Sequence, residues 1–398
     1  MKVLMPNHFP LQGSGSGIYT LNVAQELVKA GHEVLAIVPD HQPTTGYSFP
    51  VETILFSNGA NEQAKLNFNF PCFTTHPRST TTFYELSDDQ IKAYVDAWQE
   101  AMEQAIIQFQ PDIIHAHHVW VTPFVAQQFD LPYVISCHGT DLMGFRRGPR
   151  YREMALTGAQ HAYAIIAISR QVKADALATY QVPSEQVPLI WNGFDDQRFR
   201  VIPEAIKENV LPEYGIQVTN RPLVSFVGKF TDFKGIDVLL KAAAIYEQAV
   251  LGVQTVLVGH GQLWDEMHAL GRELNLRGVH FLGHKPQTEV ARIYNAADVS
   301  IVPSRIEPFG LVAVEALACG TPVVATEAGG LPDFINEEVG ALVPLEDPEA
   351  LATAIIAELH QGSKYTKGKV AAQYAIENFT WTRQVGKMIA LYEEALAT

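Results

Sequence analysis

Cysteine is scarce in this chain. Three residues, Cys72, Cys137 and Cys319, are scattered among 398. An odd, dispersed set excludes a disulfide framework and points to a reducing, cytoplasmic setting. Positive charge is short as well: 28 lysines and arginines face 43 aspartates and glutamates, a formal net charge of −15. So acidic a protein does not hold nucleic acid or anionic lipid with its whole surface, although a local basic pocket remains allowed. No apolar run reaches the roughly 18 residues of a membrane span. The first apolar stretch ends at Pro6, too early for a secretory leader. Low-complexity tracts and short repeats are missing too. What remains is a soluble globular chain, too long for one compact core, so two domains are expected.

The elements begin as βαβ. Residues 3–5 read as a buried strand, Gly13-Ser14-Gly15-Ser16-Gly17 as a loop, 18–30 as a helix stopped by Gly31, and 34–38 as a second strand. The glycines let backbone approach a ligand closely. Asp40 near the second strand invites a dinucleotide fingerprint, but the spacing fails. Counted from Gly13 the third glycine falls on Ile18, and from Gly15 it falls on no glycine. Residues 41–90 are weakly periodic and read as short strands and loops. Ser87 caps a helix running to about residue 108. A strand at 112–115 leads to His115, His117 and His118. Alternate strand residues share a face, so His115 and His117 could meet a metal, yet no acidic or cysteine partner is near.

A strand at 132–137 delivers His138-Gly139-Thr140-Asp141 to its carboxyl end, the edge where open α/β sheets bind ligands. Arg146, Arg147, Arg150 and Arg152 follow closely, either as an anion site for an acceptor or as a solvated helix edge. Strands at 162–169 and 187–191 close the first half, and residues 196–220 read as a linker with one weak helix. The βα pattern then restarts. A strand at 223–227 ends in Gly228-Lys229, and Lys234-Gly235 opens a helix over 236–247. Further strands at 253–258, 280–284, 298–302 and 322–325 follow, with glycines at Gly259, Gly261, Gly329 and Gly330. A last helix, 381–397, begins after Thr380 and is expected to return to the first half.

The most informative stretch is Glu307-Pro308-Phe309-Gly310-Leu311-Val312-Ala313-Val314-Glu315, where a strand and loop feed a helix over 311–318. A helix start attracts phosphate through orphan N–H groups and its dipole. Two nearby lysines, Lys229 and Lys234, can neutralise a diphosphate. These residues together resemble the retaining, nucleotide-sugar-dependent glycosyltransferases of family 4, and the resemblance spans essentially the whole chain. Its most specific element is the pair Glu307 and Glu315, seven residues between them; Gly13 to Gly17, His138-Gly139, Gly228-Lys229, Lys234-Gly235 and Phe379-Thr380-Trp381 support it.

The resemblance implies an α/β GT-B architecture: two doubly wound Rossmann-like domains facing a cleft. They would comprise residues 1–195 with 380–398 for the acceptor and 196–379 for the donor. It implies that Glu315 binds the ribose, and that Glu307 with the amides of Phe309, Gly310 and Leu311 holds donor sugar and phosphates. Lys229 and Lys234 would stabilise the leaving diphosphate, His138 would touch the donor sugar, and Gly283 and His284 would read the base. Gly15 and Gly17 would approach phosphates or acceptor, and Gly228 lies in the donor site. Acceptor contacts are expected from His117, Trp120, Arg146, Arg147 and Arg150. Lysine at 229 departs from the family's arginine: it keeps the charge and loses the fork.

The implied reaction is front-face attack by an acceptor hydroxyl with retention, a uridine-linked donor, no cofactor and no metal. The acceptor is expected to be small and hydrophilic or a glycan. Residues 1–198 carry 12 lysines and arginines against 19 acids, without a basic face for a membrane. The protein is expected to be a monomer or homodimer. A nucleotide-sugar 2-epimerase, a pyridoxal-dependent sugar phosphorylase and a non-catalytic sugar-nucleotide binding module remain as alternatives. Donor isomerised without acceptor would mark the first, cofactor absorbance the second, and binding without turnover the third.

Overall fold

In the computed structural model, residues 1–59, 64–74, 76–218 and 221–398 are described. Residues 60–63 and 75 of the 41–90 segment, and 219–220 of the linker, lie outside them. The chain divides into two compact units, Met1–Asn192 with Trp381–Thr398, and Gly193–Thr380.

The strands of the first unit are mostly near-continuous apolar runs, as parallel strands buried on both faces are, with polar positions in Val51–Leu55 and Ile113–His117. They are β1 (Lys2–Pro6), β2 (Glu33–Asp40), β3 (Val51–Leu55), β4 (Ile113–His117), β5 (Tyr133–Cys137) and β6 (Ala164–Ala167). All pair parallel, in the order β3-β2-β1-β4-β5-β6. Leu4 sits at the pivot, opposite Leu35 on one side and Ile114 on the other. The strand order reverses between β1 and β4, and loops leaving a reversal point diverge to open a crevice. The helix Asp88–Phe109 starts as expected, with the Ser87 hydroxyl and the Gln90 side chain capping each other's backbone.

Two expectations fail at element ends. The first helix begins at Gly15, not at residue 18, because Ser14 is extended and its hydroxyl accepts from the Gly17 amide at 3.0 Å. Residues 187–191 form no strand; Leu189 makes one isolated bridge to Ala167. Pro188 has no N–H to extend a ladder, and pairing stops after Ala167 N–H to Pro188 O and Ile190 N–H to Ala167 O.

The second unit contains β7 (Leu223–Val227), β8 (Gln254–Val258), β9 (Val279–Gly283), β10 (Val299–Val302), β11 (Val323–Thr326) and β12 (Gly340–Val343). The order is β12-β11-β10-β7-β8-β9, again parallel. Its core gathers Leu239, Tyr246, Leu257, Ile301, Leu351 and Ile355. Strand β12 and the helices Pro348–His360 and Ser363–Phe379 were not anticipated. The reversal lies between β10 and β7, so the loops carrying Glu307 and the two lysines leave the sheet at its switch point. Among the described residues no helix is long and apolar enough to cross a membrane.

The last helix, Trp381–Leu396, belongs to the first unit. Its Trp381 ring meets the edge of Tyr19 at 5.3 Å, and the Tyr392 hydroxyl lies 2.6 Å from His115 Nδ1. Both partners are fully buried, so Tyr392→Phe strands a buried imidazole nitrogen. The expected cost is about 1–3 kcal/mol in urea unfolding of the first unit. An unchanged midpoint would show that the helix docks without this bond.

Candidate active site

At the switch point of the second sheet, β10 ends in Val302 and the chain turns through Pro303 and Ser304. Glu307 Oε2 lies 2.5 Å from Lys234 Nζ and accepts from the Ser304 hydroxyl at 3.1 Å. The Ser304 carbonyl in turn accepts from the Thr326 hydroxyl at 2.6 Å, which pins the loop to β11. The Glu307 carbonyl accepts from the Gly330 amide at 2.9 Å. Gly329 beside it has φ 53°, and a Cβ there would come 2.0 Å from that carbonyl, so only glycine fits. Arg305 anchors the loop from outside: it donates to the Asp232 carbonyl, pairs with Asp237 at 2.9 Å and grips Glu346.

The helix Leu311–Ala318 begins here with Gly310 as cap, at φ 108°. Its first turn holds no acidic side chain and no side-chain cap. The amides of Leu311 and Val312 have no acceptor within the helix by position, so they and the dipole favour an anion. The Phe309 ring is buried against Phe334 and Phe379, which leaves only its backbone to face a ligand. Glu315, one turn further in, is 7% exposed. Burial pushes its carboxyl up to about 8, with Arg198 pulling down and Asp195 pushing up. At neutral pH it is therefore mostly protonated. Lys229 is exposed after β7 and Lys234 closes the short turn Asp232–Lys234. Gly228 follows β7 directly, Gly283 ends β9 with its carbonyl on the Gly259 amide at 2.9 Å, and His284 is exposed beyond it.

In the first unit, the carboxyl ends of β4 and β5 carry a cluster of buried imidazoles. His138 Nε2 lies 3.2 Å from His117 Nδ1, and its ring stands edge-on to Tyr19 at 4.8 Å. His115 bridges Tyr392 to the Ser136 hydroxyl at 2.8 Å, and Ser136 lies 3.1 Å from the Tyr19 hydroxyl. Burial pushes His8, His115 and His138 down to about 3, and His117 and His118 well down. His138 is thus a neutral hydrogen-bonding ring, not a cation. His118 has φ 68°, and both its nitrogens are buried without a partner among the described residues. Among those residues, no group of three or more His, Cys, Asp or Glu is arranged to hold a metal.

Several expected contacts are corrected here. Gly15 and Gly17 open the first helix and are not loop; Gly15 stays exposed there, and only the Gly17 contact is overturned. The Gly17 amide is taken by Ser14, and a Cβ on Gly17 would meet the Pro10 carbonyl at 2.1 Å, so its role is close packing. His117 and Trp120 are fully buried and cannot present a face to an acceptor; Trp120 stacks on Tyr151 at 4.6 Å. The arginines do not converge. Arg146 faces Asp175 at 3.5 Å, Arg147 lies over the Tyr84 ring, and Arg150 binds Asp88 at 2.9 Å.

The model of Glycosyl transferases group 1 matches residues 213–375, and that of Glycosyltransferase Family 4 matches residues 13–198. The D-inositol 3-phosphate glycosyltransferase of Corynebacterium jeikeium is 32% identical over 308 residues, 71% of this chain and 72% of its own. The chain belongs to the glycosyltransferases of family 4 and group 1.

The two doubly wound sheets of this glycosyltransferase are those of the GT-B architecture. The sucrose-phosphate synthase from Thermosynechococcus elongatus has a similar fold, with a TM-score of 0.78, 24% identity, and coverage of 100% of this chain and 99% of that one. So does HepE from Anabaena, solved in complex with UDP, with a TM-score of 0.76, 20% identity, and coverage of 99% and 100%.

Sequence reasoning missed the residues that hold the glutamate loop. Ser304 stands three positions before Glu307, within reach of inspection. Asp237 and Glu346 lie 68 and 41 positions from Arg305, and no local signal joins them. Glu315 supplies a pH test. Its folded-state value is raised, from near 4.5 to about 8. Its stabilising contribution is therefore full below about 4.5 and is lost as pH rises to about 8. Glu315→Gln removes that loss, at most about 1.4 kcal/mol per pH unit. Urea midpoints of both proteins between those limits measure it; parallel profiles would contradict the burial of an ionisable group.

Proposed function

We propose that this glycosyltransferase moves a hexosyl group from a uridine diphosphate sugar to a hydroxyl of a small hydrophilic or glycan acceptor, with retention and without a metal. The observation that carries the reading is Lys234 held on Glu307 at 2.5 Å, beside a helix N-terminus free of acidic residues. The uridine assignment is supported by HepE, a neighbour of similar fold solved with UDP.

Breaking the anomeric C–O bond leaves positive character on the sugar and negative charge on the departing diphosphate. Lys229, Lys234 and the amides of Leu311 and Val312 are donors for that anion, and Lys234 is held in place by Glu307 before charge develops. The leaving phosphate oxygen accepts the proton of the attacking hydroxyl, which bonds to the anomeric carbon on the face the diphosphate leaves. Glu315 meets the ribose hydroxyls, and Glu307 steadies Lys234 and the donor sugar. The base lies by Gly228, Gly283 and His284. His138 serves the donor sugar as a neutral ring. The cations of the chain take the place a divalent ion would fill.

Lys234→Ala removes a cation and also leaves Glu307 unpaired where negative charge grows. Turnover should fall roughly a hundredfold or more, with donor consumption followed by mass detection. Near wild-type turnover would sink the phosphate assignment. Full activity is expected after exhaustive chelation; loss restored by one divalent ion would refute metal independence.

A further inference from the structure

We propose that the acceptor subsite is a polar cavity within the first unit, at the carboxyl ends of β1, β2 and β3, and that it takes a neutral polyhydroxylated compound: a free sugar or the sugar end of a glycan. The inference rests on the transferase reading above and names the acceptor class that reading leaves open. The cavity measures about 640 Å³, inside the roughly 300–1,000 Å³ of small-molecule sites. Gln12 lines it from the loop after β1, Asp40 from the end of β2, Thr44 and Tyr47 from the loop that follows, Asn58 from the segment after β3, and Arg78 from beyond. Carboxyl ends of parallel strands are where sheets of this kind bind ligands.

The walls are already bonded to one another. Asp40 is 7% exposed, and both its oxygens accept from Arg78 Nη1, at 2.9 and 2.8 Å. Oδ1 also accepts from the His41 amide at 2.8 Å. Arg78 Nη2 donates to the Gln12 carbonyl at 3.2 Å, and Gln12 Nε2 donates to the Tyr47 hydroxyl at 3.1 Å. The loops after β1 and β2 and the segment around Arg78 are thereby tied into one frame.

Charge decides the class of ligand. Asp40 and Arg78 neutralise each other within the lining. A phosphate would have to draw Arg78 off Asp40 and then lie against a bare carboxylate, a repulsive arrangement. Sugar hydroxyls meet no such conflict. Each donates and accepts, which suits the Asp40 lone pairs, the Gln12 amide and the Tyr47 hydroxyl. An alkyl chain would cover the remaining lone pairs and N–H groups of that lining without bonding them. The earlier acceptor candidates do not compete, since His117 and Trp120 are buried and Arg146 and Arg150 face carboxylates of their own.

Saturation-transfer NMR on the whole chain tests the assignment, with maltose and myo-inositol as neutral probes and inositol 3-phosphate as the anionic one. The neutral probes should bind, and Asp40→Asn should weaken maltose roughly tenfold or more. Gln12→Ala, at an exposed position less able to disturb folding, should weaken it several-fold, with thermal melting confirming that each variant is folded. Preference for inositol 3-phosphate, no binding of either neutral probe, or maltose binding unchanged in the folded variants would each overturn the proposal. Calorimetric titration of wild type with UDP separates the two claims. UDP binding with a failed sugar test removes only this subsite; sugar binding that depends on Asp40 without UDP binding removes the uridine-donor reading and leaves the subsite standing.

Discussion

The ion pair between Lys234 and Glu307 ties together the two loops that leave the second sheet at its reversal. One loop follows β7 and includes the short turn Asp232–Lys234; the other follows β10. The side chains are 25% and 9% exposed, so the pair is partly withdrawn from water. Withdrawal carries a desolvation cost, which the Ser304 hydroxyl offsets by donating to the same carboxylate oxygen. Around this contact a second layer repeats the device, with Arg305 held by Asp237 and Glu346. The result is a cation held on the loop that leads into the helix Leu311–Ala318 before any ligand arrives, the form of preorganisation that favours a developing anion.

The two units handle polarity at their strand ends differently. The second keeps charged groups at the surface of its switch point, where Lys229 is exposed and Lys234 partly so. The first buries its histidines, and burial keeps them neutral. The thread Tyr392, His115, Ser136, Tyr19 runs from the last helix to the first through side-chain bonds of 2.6, 2.8 and 3.1 Å. Tyr19 in turn packs on His138. The chain's return to the first unit therefore bears on the ring that the family resemblance assigns to the donor sugar.

Much of the fold was legible because it depends on local pattern. The helix Leu311–Ala318 lies where its run of good helix formers and the stop at Gly320 place it. Apolar strands bounded by glycine and proline give both parallel sheets. What escaped depends on contacts distant in sequence. β12 is four residues long and begins with a glycine, so its pattern is invisible without β11 beside it. The arginines at 146, 147 and 150 looked like one anion site because spacing says nothing about partners. Asp175, Tyr84 and Asp88 divide them. Trp120 and His117 follow a strand toward the ligand edge, yet Phe73, Tyr151 and Tyr19 close over them.

A crystal structure with a bound uridine diphosphate tests the central claim most directly. The account places the terminal phosphate on the amides of Leu311 and Val312 and on Lys234, with the ribose hydroxyls on Glu315. Diphosphate bound away from the Glu307 to Glu315 segment, with Lys234 still closed on Glu307, would contradict it.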